Sequence, residues 1–250
     1  MDYTIAENYT LPSQGKIYDV EVNPNVKIRS MTTQDEMKRL APSDGAYKNI
    51  CEIIDDCLVE KPGISSYDMH LGDYQFLLHK MRVVTYGSDY EIAVTCPYCG
   101  AIQRAKLDLD TLNIKEYEES VKKYFEFDLP KTKRHIKLRM QTPRILDMIE
   151  ERAKELKRKS TNFIGDPAFL FSIEYMIEEI DGKKPNPLKL TEFVQSLPMM
   201  DTNYIVKHAF KINESIGIHT LLDITCDVCG VDFNSRFRTD SKFFGPDIDI

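Results

Sequence analysis

No apolar run in this sequence approaches the roughly 20 residues that a membrane-spanning helix requires; the longest, around Ala168 to Ile173, is far too short. The chain also opens without an apolar stretch of the signal-peptide kind, so an intracellular protein is expected. A positive surplus is missing too: the formal net charge is −7, whereas chains that coat nucleic acid usually carry a basic excess. Catalytic signatures are equally scarce. There is no zinc-peptidase H-E-x-x-H, no Walker-type phosphate loop, no Rossmann glycine fingerprint and no G-x-S-x-G nucleophile elbow. Carboxylates such as Asp55, Asp56, Glu178 and Glu179 fall on helical patterns, where solvated charge is the ordinary reading. An enzyme is not expected, nor a small-molecule substrate.

What is present is the composition of a globular protein, 42% hydrophobic and 29% charged, which permits a real core in one large domain or two modest ones. Six cysteines without a secretory signal point to reduced thiols or metal ligands rather than disulfides. Cys51 and Cys57 sit in a helical pattern with Ile50, Ile53, Ile54 and Leu58 and are read as core. The other four form two C-x-x-C pairs.

The sequence also matches itself once, weakly but in order. Leu11-Pro12 pairs with Leu129-Pro130, and Val26-Lys27-Ile28-Arg29 with Ile136-Lys137-Leu138-Arg139. Asp73-x-x-Phe76-Leu77 pairs with Asp201-x-x-Tyr204-Ile205, and Thr95-Cys96-Pro97-Tyr98-Cys99-Gly100 with Thr225-Cys226-Asp227-Val228-Cys229-Gly230. Drifting offsets between these landmarks are what loop insertions in a duplicated unit produce. The expected fold is therefore α+β, two tandem related repeats joined by a zinc-ribbon-like pair of cysteine knuckles. An N-terminal extension would span 1–10, a first repeat 11–112 and a second 113–250.

Each repeat reads as the same string. An alternating strand comes first, then a capped helix, with Thr33 and Glu36 at capping-box spacing in one half and Thr142 before Pro143 in the other. A second helix follows, near 46–59 and after Asp166-Pro167, and a third begins near Asp73 and Asp201. Strand, knuckle and return strand close each half, at 89–109 and 219–238. Three differences are expected: a hairpin-like stretch from Tyr18 to Asn25, a basic extension from Lys154 to Gly165, and a segment from Asp181 to Leu197 with turn residues and a short helix. Such insertions are natural partner contacts.

Thiolates are soft ligands, and four in a tetrahedron satisfy zinc completely. One knuckle supplies half a site, so Cys96, Cys99, Cys226 and Cys229 are expected to share one structural zinc ion. The pairs lie about half the chain apart, so the ion would hold repeat to repeat. Rival readings are a redox pair, which belongs at a helix N-terminus rather than between strands, and separate sites completed by a histidine. Of the histidines, His219 precedes the second knuckle, while His79 and His208 fall in amphipathic helices, where a structural role is the commoner one. A basic cluster, Lys131 to Arg139 and then Arg152 to Lys159, keeps open an alternative, a zinc-ribbon nucleic-acid-binding regulator, though it lacks interleaved aromatics.

Several stretches resemble the baseplate hub proteins of T-even-type contractile-tailed phages, small hub subunits also described as hub assembly proteins. They are Leu11-Pro12-Ser13-x-Gly15, Lys27-Ile28-Arg29-x-Met31-Thr32-Thr33-x-Asp35-Glu36, Gly72-Asp73-x-x-Phe76-Leu77-Leu78, Arg82 before Tyr86-Gly87, and Cys96-Pro97-x-Cys99-Gly100. The resemblance covers about 10–112 well and the second half loosely. It implies a non-enzymatic structural or assembly component that binds other baseplate or tail proteins. Such a component would be built in the host cytoplasm and carried in the virion tail, with no membrane partner and nucleic acid disfavoured.

Overall fold

The structure is a computed structural model that describes residues 4–43, 45–159, 165–237, 239 and 243–244. It is α+β, with several small antiparallel sheets rather than one large one. The first sheet has the order β1 (Ala6–Thr10), β2 (Asn25–Arg29), β3 (Leu58–Glu60). On β2 the side chains of Val26 and Ile28 are buried while Lys27 and Arg29 are not, the alternation expected of a strand with one wet face. Helices α1 (Thr33–Arg39) and α2 (Lys48–Cys57) fill the connection from β2 to β3. Helix α3 (Leu71–Tyr86) then runs through the centre of the first core, buried at most of its positions. The hairpin β4 (Asp89–Thr95) and β5 (Ile102–Asp108) closes this half.

The second half passes through its elements in a parallel order. After β6 (Ile114–Lys115) come β7 (Glu126–Asp128) and β8 (His135–Leu138), helices α4 (Pro143–Lys159) and α5 (Pro167–Met176), and β9 (Ile177–Ile180). These strands pair as β7-β8-β9. Helices α6 (Pro187–Ser196) and α7 (Met199–Asn213) follow, then β10 (Gly217–Ile218) and the hairpin β11 (Leu221–Thr225) and β12 (Asp232–Arg236). Two details coincide between the halves. The β2–β3 ladder shifts register between Lys27 and Ile28, and the β8–β9 ladder between Lys137 and Leu138. A buried aspartate near the start of the long helix also grips the loop after the Leu-Pro pair. Asp73 accepts from the Ser13 amide at 3.0 Å and the Tyr18 hydroxyl at 2.6 Å; Asp201 accepts from the amides of Lys131 and Thr132 at 2.8 and 2.9 Å.

The halves are tied together away from the cysteines as well. Helix α2 has no cap of its own; the Asp147 carboxylate of α4 accepts from the Tyr47 and Lys48 amides at its N-terminus, at 3.1 and 2.9 Å. The first turn of α3 crosses the backbone just before β10 so closely that a Cβ on Gly72 would lie 2.2 Å from the Ile216 carbonyl oxygen. Past β12, Phe237, Phe243 and Phe244 fold back into the first core against His79 and Tyr90.

Several boundaries depart from the sequence expectations. The N-cap of α1 is Thr32, with Asp35 rather than Glu36 completing the capping box, because Asp35 also turns inward to Arg29. The stretch from Tyr18 to Asn25 does not make a hairpin of its own: the partner of β2 is β1, which lies within the presumed N-terminal extension. The expected 46–59 helix stops at Cys57, since Leu58 is extended and pairs with Ile28. Strands β3 and β9 were not foreseen. The Asp181 to Leu197 segment does hold turn residues and a short helix, α6, with Asn186 as its cap. Of the basic extension, residues 160–164 lie outside the described residues.

Candidate metal centre

Each knuckle is built by local backbone chemistry. In the first, the Cys96 amide donates to the Ala101 carbonyl at 2.8 Å and the Gly100 amide to the Cys96 carbonyl at 3.0 Å. In the second, Cys226 donates to Val231 at 3.0 Å and Gly230 to Cys226 at 2.9 Å. Both turns end on a glycine in the left-handed region, Gly100 at φ +73° and Gly230 at φ +70°. That conformation reverses the chain into the return strand and suits glycine for want of a Cβ.

The sequence-predicted residues come together. The four Sγ atoms lie within 4.8 Å of one another. Cys96 to Cys229 is 3.8 Å and Cys99 to Cys226 is 3.6 Å, so these close approaches run between the halves, not within a knuckle. A disulfide needs about 2.05 Å, which excludes direct bonding at these separations. Sulfurs at the corners of a tetrahedron around zinc, with bonds of about 2.3 Å, stand about 3.8 Å apart. The donor set and its spacing therefore fit such an ion. Cys96 and Cys226 are buried and Cys99 and Cys229 exposed. Val94 and Phe233 pack with the two buried sulfurs, with Ile92, Ala101, Ala105 and Ile224 around them.

The electrostatics of the cluster favour a cation. The amides of Cys229 and Val228 point at the Cys226 sulfur and pull that thiol down to about 6. The Val231 amide draws Cys229 the same way, but desolvation and the neighbouring cysteine sulfurs win and push it up to about 12. Four sulfurs this close cannot all ionise without a positive charge among them. A four-thiolate shell would also leave its ion no open position for water or substrate.

Of the rival residues, His219 is not in the cluster; its amide donates to the Asn113 carbonyl. His79 is buried in α3 with Nδ1 on the Gln75 carbonyl, and His208 of α7 lies against Phe127 at 3.9 Å between ring centres. Cys51 and Cys57 are fully buried in the first core, and burial pushes both thiols up to about 12. One residue that sequence reasoning passed over reaches from the first hairpin to the second knuckle. The Gln103 side chain of β5 donates to the Thr225 carbonyl at 2.9 Å and accepts from the Asp227 amide at 3.0 Å. Its signal lay only in the contrast between Pro97 and Asp227 at matching knuckle positions.

Among the described residues, no helix is long and apolar enough to cross a membrane. No curated protein and no solved structure gives a match to the chain. The family model described as T4 bacteriophage base plate protein, however, matches residues 3–245, nearly the full sequence. The chain thus belongs to the T4 bacteriophage base plate protein family.

Proposed function

We propose that this chain is a non-enzymatic structural or assembly component of the hub region of a contractile-tailed phage baseplate. Its halves, 11–112 and 113–250, are tandem copies of one α+β unit, clasped by a single structural zinc ion on Cys96, Cys99, Cys226 and Cys229. The observation that carries the baseplate assignment is the family match over residues 3–245. The duplication is supported by the shared element order, by ladders that shift register at matching residues, and by Asp73 and Asp201 gripping matching loops. The zinc assignment is supported by four sulfurs at tetrahedral spacing. When bound, the ion neutralises the thiolates and cross-links the two knuckles; the chain's own residues supply the scaffold.

The partners are other baseplate or tail proteins, met in the host cytoplasm during assembly and retained in the virion. The nucleic-acid reading gains little from the geometry, because four cations of α4 each face a carboxylate. Arg152 meets Glu174 at 3.1 Å, Lys154 meets Glu150 at 3.1 Å, Lys157 meets Asp166 at 3.8 Å and Lys159 meets Glu155 at 2.5 Å. A helix face so neutralised is a weak attractor for phosphate.

The test is biochemical and direct. Baseplates and their assembly intermediates are purified from infected cells, and their composition is read by mass spectrometry and electron cryomicroscopy. The chain is expected in one or both. Its absence from every tail-related particle, with salt-dependent retention of DNA by the purified protein, would overturn the reading in favour of a nucleic-acid-binding regulator.

A further inference from the structure

We propose that Gln103 is a positioning residue of the metal centre, which sets the two knuckles in register so that their four sulfurs converge. The inference rests on the metal-site reading above and adds a residue to it that is not a ligand. A primary amide is suited to the task because one end donates while the other accepts. Gln103 uses both ends at once on the opposite half of the molecule: Nε2 donates to the Thr225 carbonyl and Oε1 accepts from the Asp227 amide. Thr225 and Asp227 flank Cys226 on either side. Two hydrogen bonds on the neighbours of one ligand fix both the height and the rotation of the second knuckle against the first.

The asymmetry of the two knuckles supports this role. Within their hairpins Gln103 and Phe233 occupy the same place: Gln103 pairs with Val94, two residues before Cys96, and Phe233 with Ile224, two residues before Cys226. Pro97 and Asp227 likewise correspond, each following the first cysteine of its knuckle. On one face of the clasp an amide side chain meets a backbone N–H. On the other, a phenyl ring faces a knuckle whose matching residue is a proline with no N–H to offer. Phe233 accordingly packs as an apolar residue with Val94, Cys96 and Cys226. The side-chain acceptor and the backbone N–H that it takes are present together on one face and absent together on the other. Outer residues that orient metal ligands in this way typically change metal affinity by about 10- to 100-fold when lost.

The experiment uses the full-length chain and zinc itself, with affinity read by competition against a chromophoric chelator. Geometry is read from cobalt(II) absorption, and thermal unfolding is recorded in excess zinc. Gln103→Ala and Gln103→Glu are expected to bind zinc about 10-fold or more weakly, while cobalt still reports four sulfur ligands. The glutamate variant keeps an acceptor but loses the donor to Thr225. Asp227→Pro copies the first knuckle, whose turn already accommodates a proline, so it removes the N–H and keeps the turn. It should weaken zinc binding too, and the double variant with Gln103→Ala should be no worse than Gln103→Ala alone. An unaltered chain that takes up no metal overturns both readings. If the unaltered chain binds zinc and Gln103→Ala stays within twofold of it, or if the two substitutions simply multiply, the role of Gln103 alone is overturned.

Discussion

At the scale of single residues, the proposed site would separate ligands from the groups that hold them, and each makes its own prediction. Cys226→Ser should abolish stoichiometric zinc binding, with a loss of affinity larger than the roughly 10- to 100-fold attached to an outer partner. Metal analysis of the dialysed protein checks it; undiminished zinc would show that the two knuckles do not share an ion. Gly230→Ala makes a different point. No atom lies within 4 Å of the added methyl, so only the left-handed backbone resists it, and the expected loss is about 1 kcal/mol. Asp35 gives a pH signature. Its hydrogen bonds from Arg29, at 2.7 and 3.2 Å, hold the carboxyl down to about 2 despite burial. A depressed folded-state value adds stability that is complete above the unfolded value of about 3.9 and is lost as pH falls through 2. Asp35→Asn should therefore weaken the protein at neutral pH by about 1–2 kcal/mol and flatten this part of the acid branch between pH 4 and 2. Urea unfolding across that range measures it; an unchanged acid slope would remove Asp35 from the account.

At the scale of elements, what the sequence revealed was whatever local chemistry announces. The knuckle hairpins were readable because Gly100 and Gly230 follow C-x-x-C between alternating strands. Helix α5 was readable because Asp166 caps it and Pro167 occupies its first turn. The four clustered cysteines were readable from their C-x-x-C spacing in two matching knuckles. Strands β3 and β9 were hidden for a shared reason: α2 and α5 pass into strand at Leu58 and Ile177 with no glycine or proline to mark the change. Hydrophobic period cannot divide a helix end from a short buried strand when apolar residues continue through both. The cap of α2 was hidden because Asp147 stands about a hundred residues away, and Gln103 because its partners belong to the other half. Asp147→Ala should accordingly destabilise the protein by about 1–2 kcal/mol and expose the first-turn amides of α2 to hydrogen exchange. Asp147→Asn, which can still accept, should lose less. Equal loss in both variants would count against capping as the cause.

At the scale of the whole molecule, the proposed metal would be one tie among several, and that fixes what its removal should do. Beside the sulfur cluster the halves share the Asp147 cap, the close crossing of Gly72 with the chain at Ile216 and Gly217, and the return of Phe237, Phe243 and Phe244 to the first core. A ligand that binds only the folded state stabilises it by mass action, so chelating zinc should lower the unfolding temperature. The remaining ties are hydrophobic and hydrogen-bonded and do not depend on the ion, so the metal-free chain should still unfold in one cooperative step. Phe243 is 1% exposed, and Phe243→Ala should remove about 3–5 kcal/mol by leaving a cavity in the first core, with zinc affinity little changed because the site lies in a separate cluster. The two perturbations fall in different clusters, which meet at Ile92, so their effects on stability should add closely. Calorimetry of the unaltered chain and of Phe243→Ala, each with and without chelator, tests this. Two resolved transitions on chelation alone would mean that the thiolate clasp, and not the shared core, makes the two halves one cooperative unit.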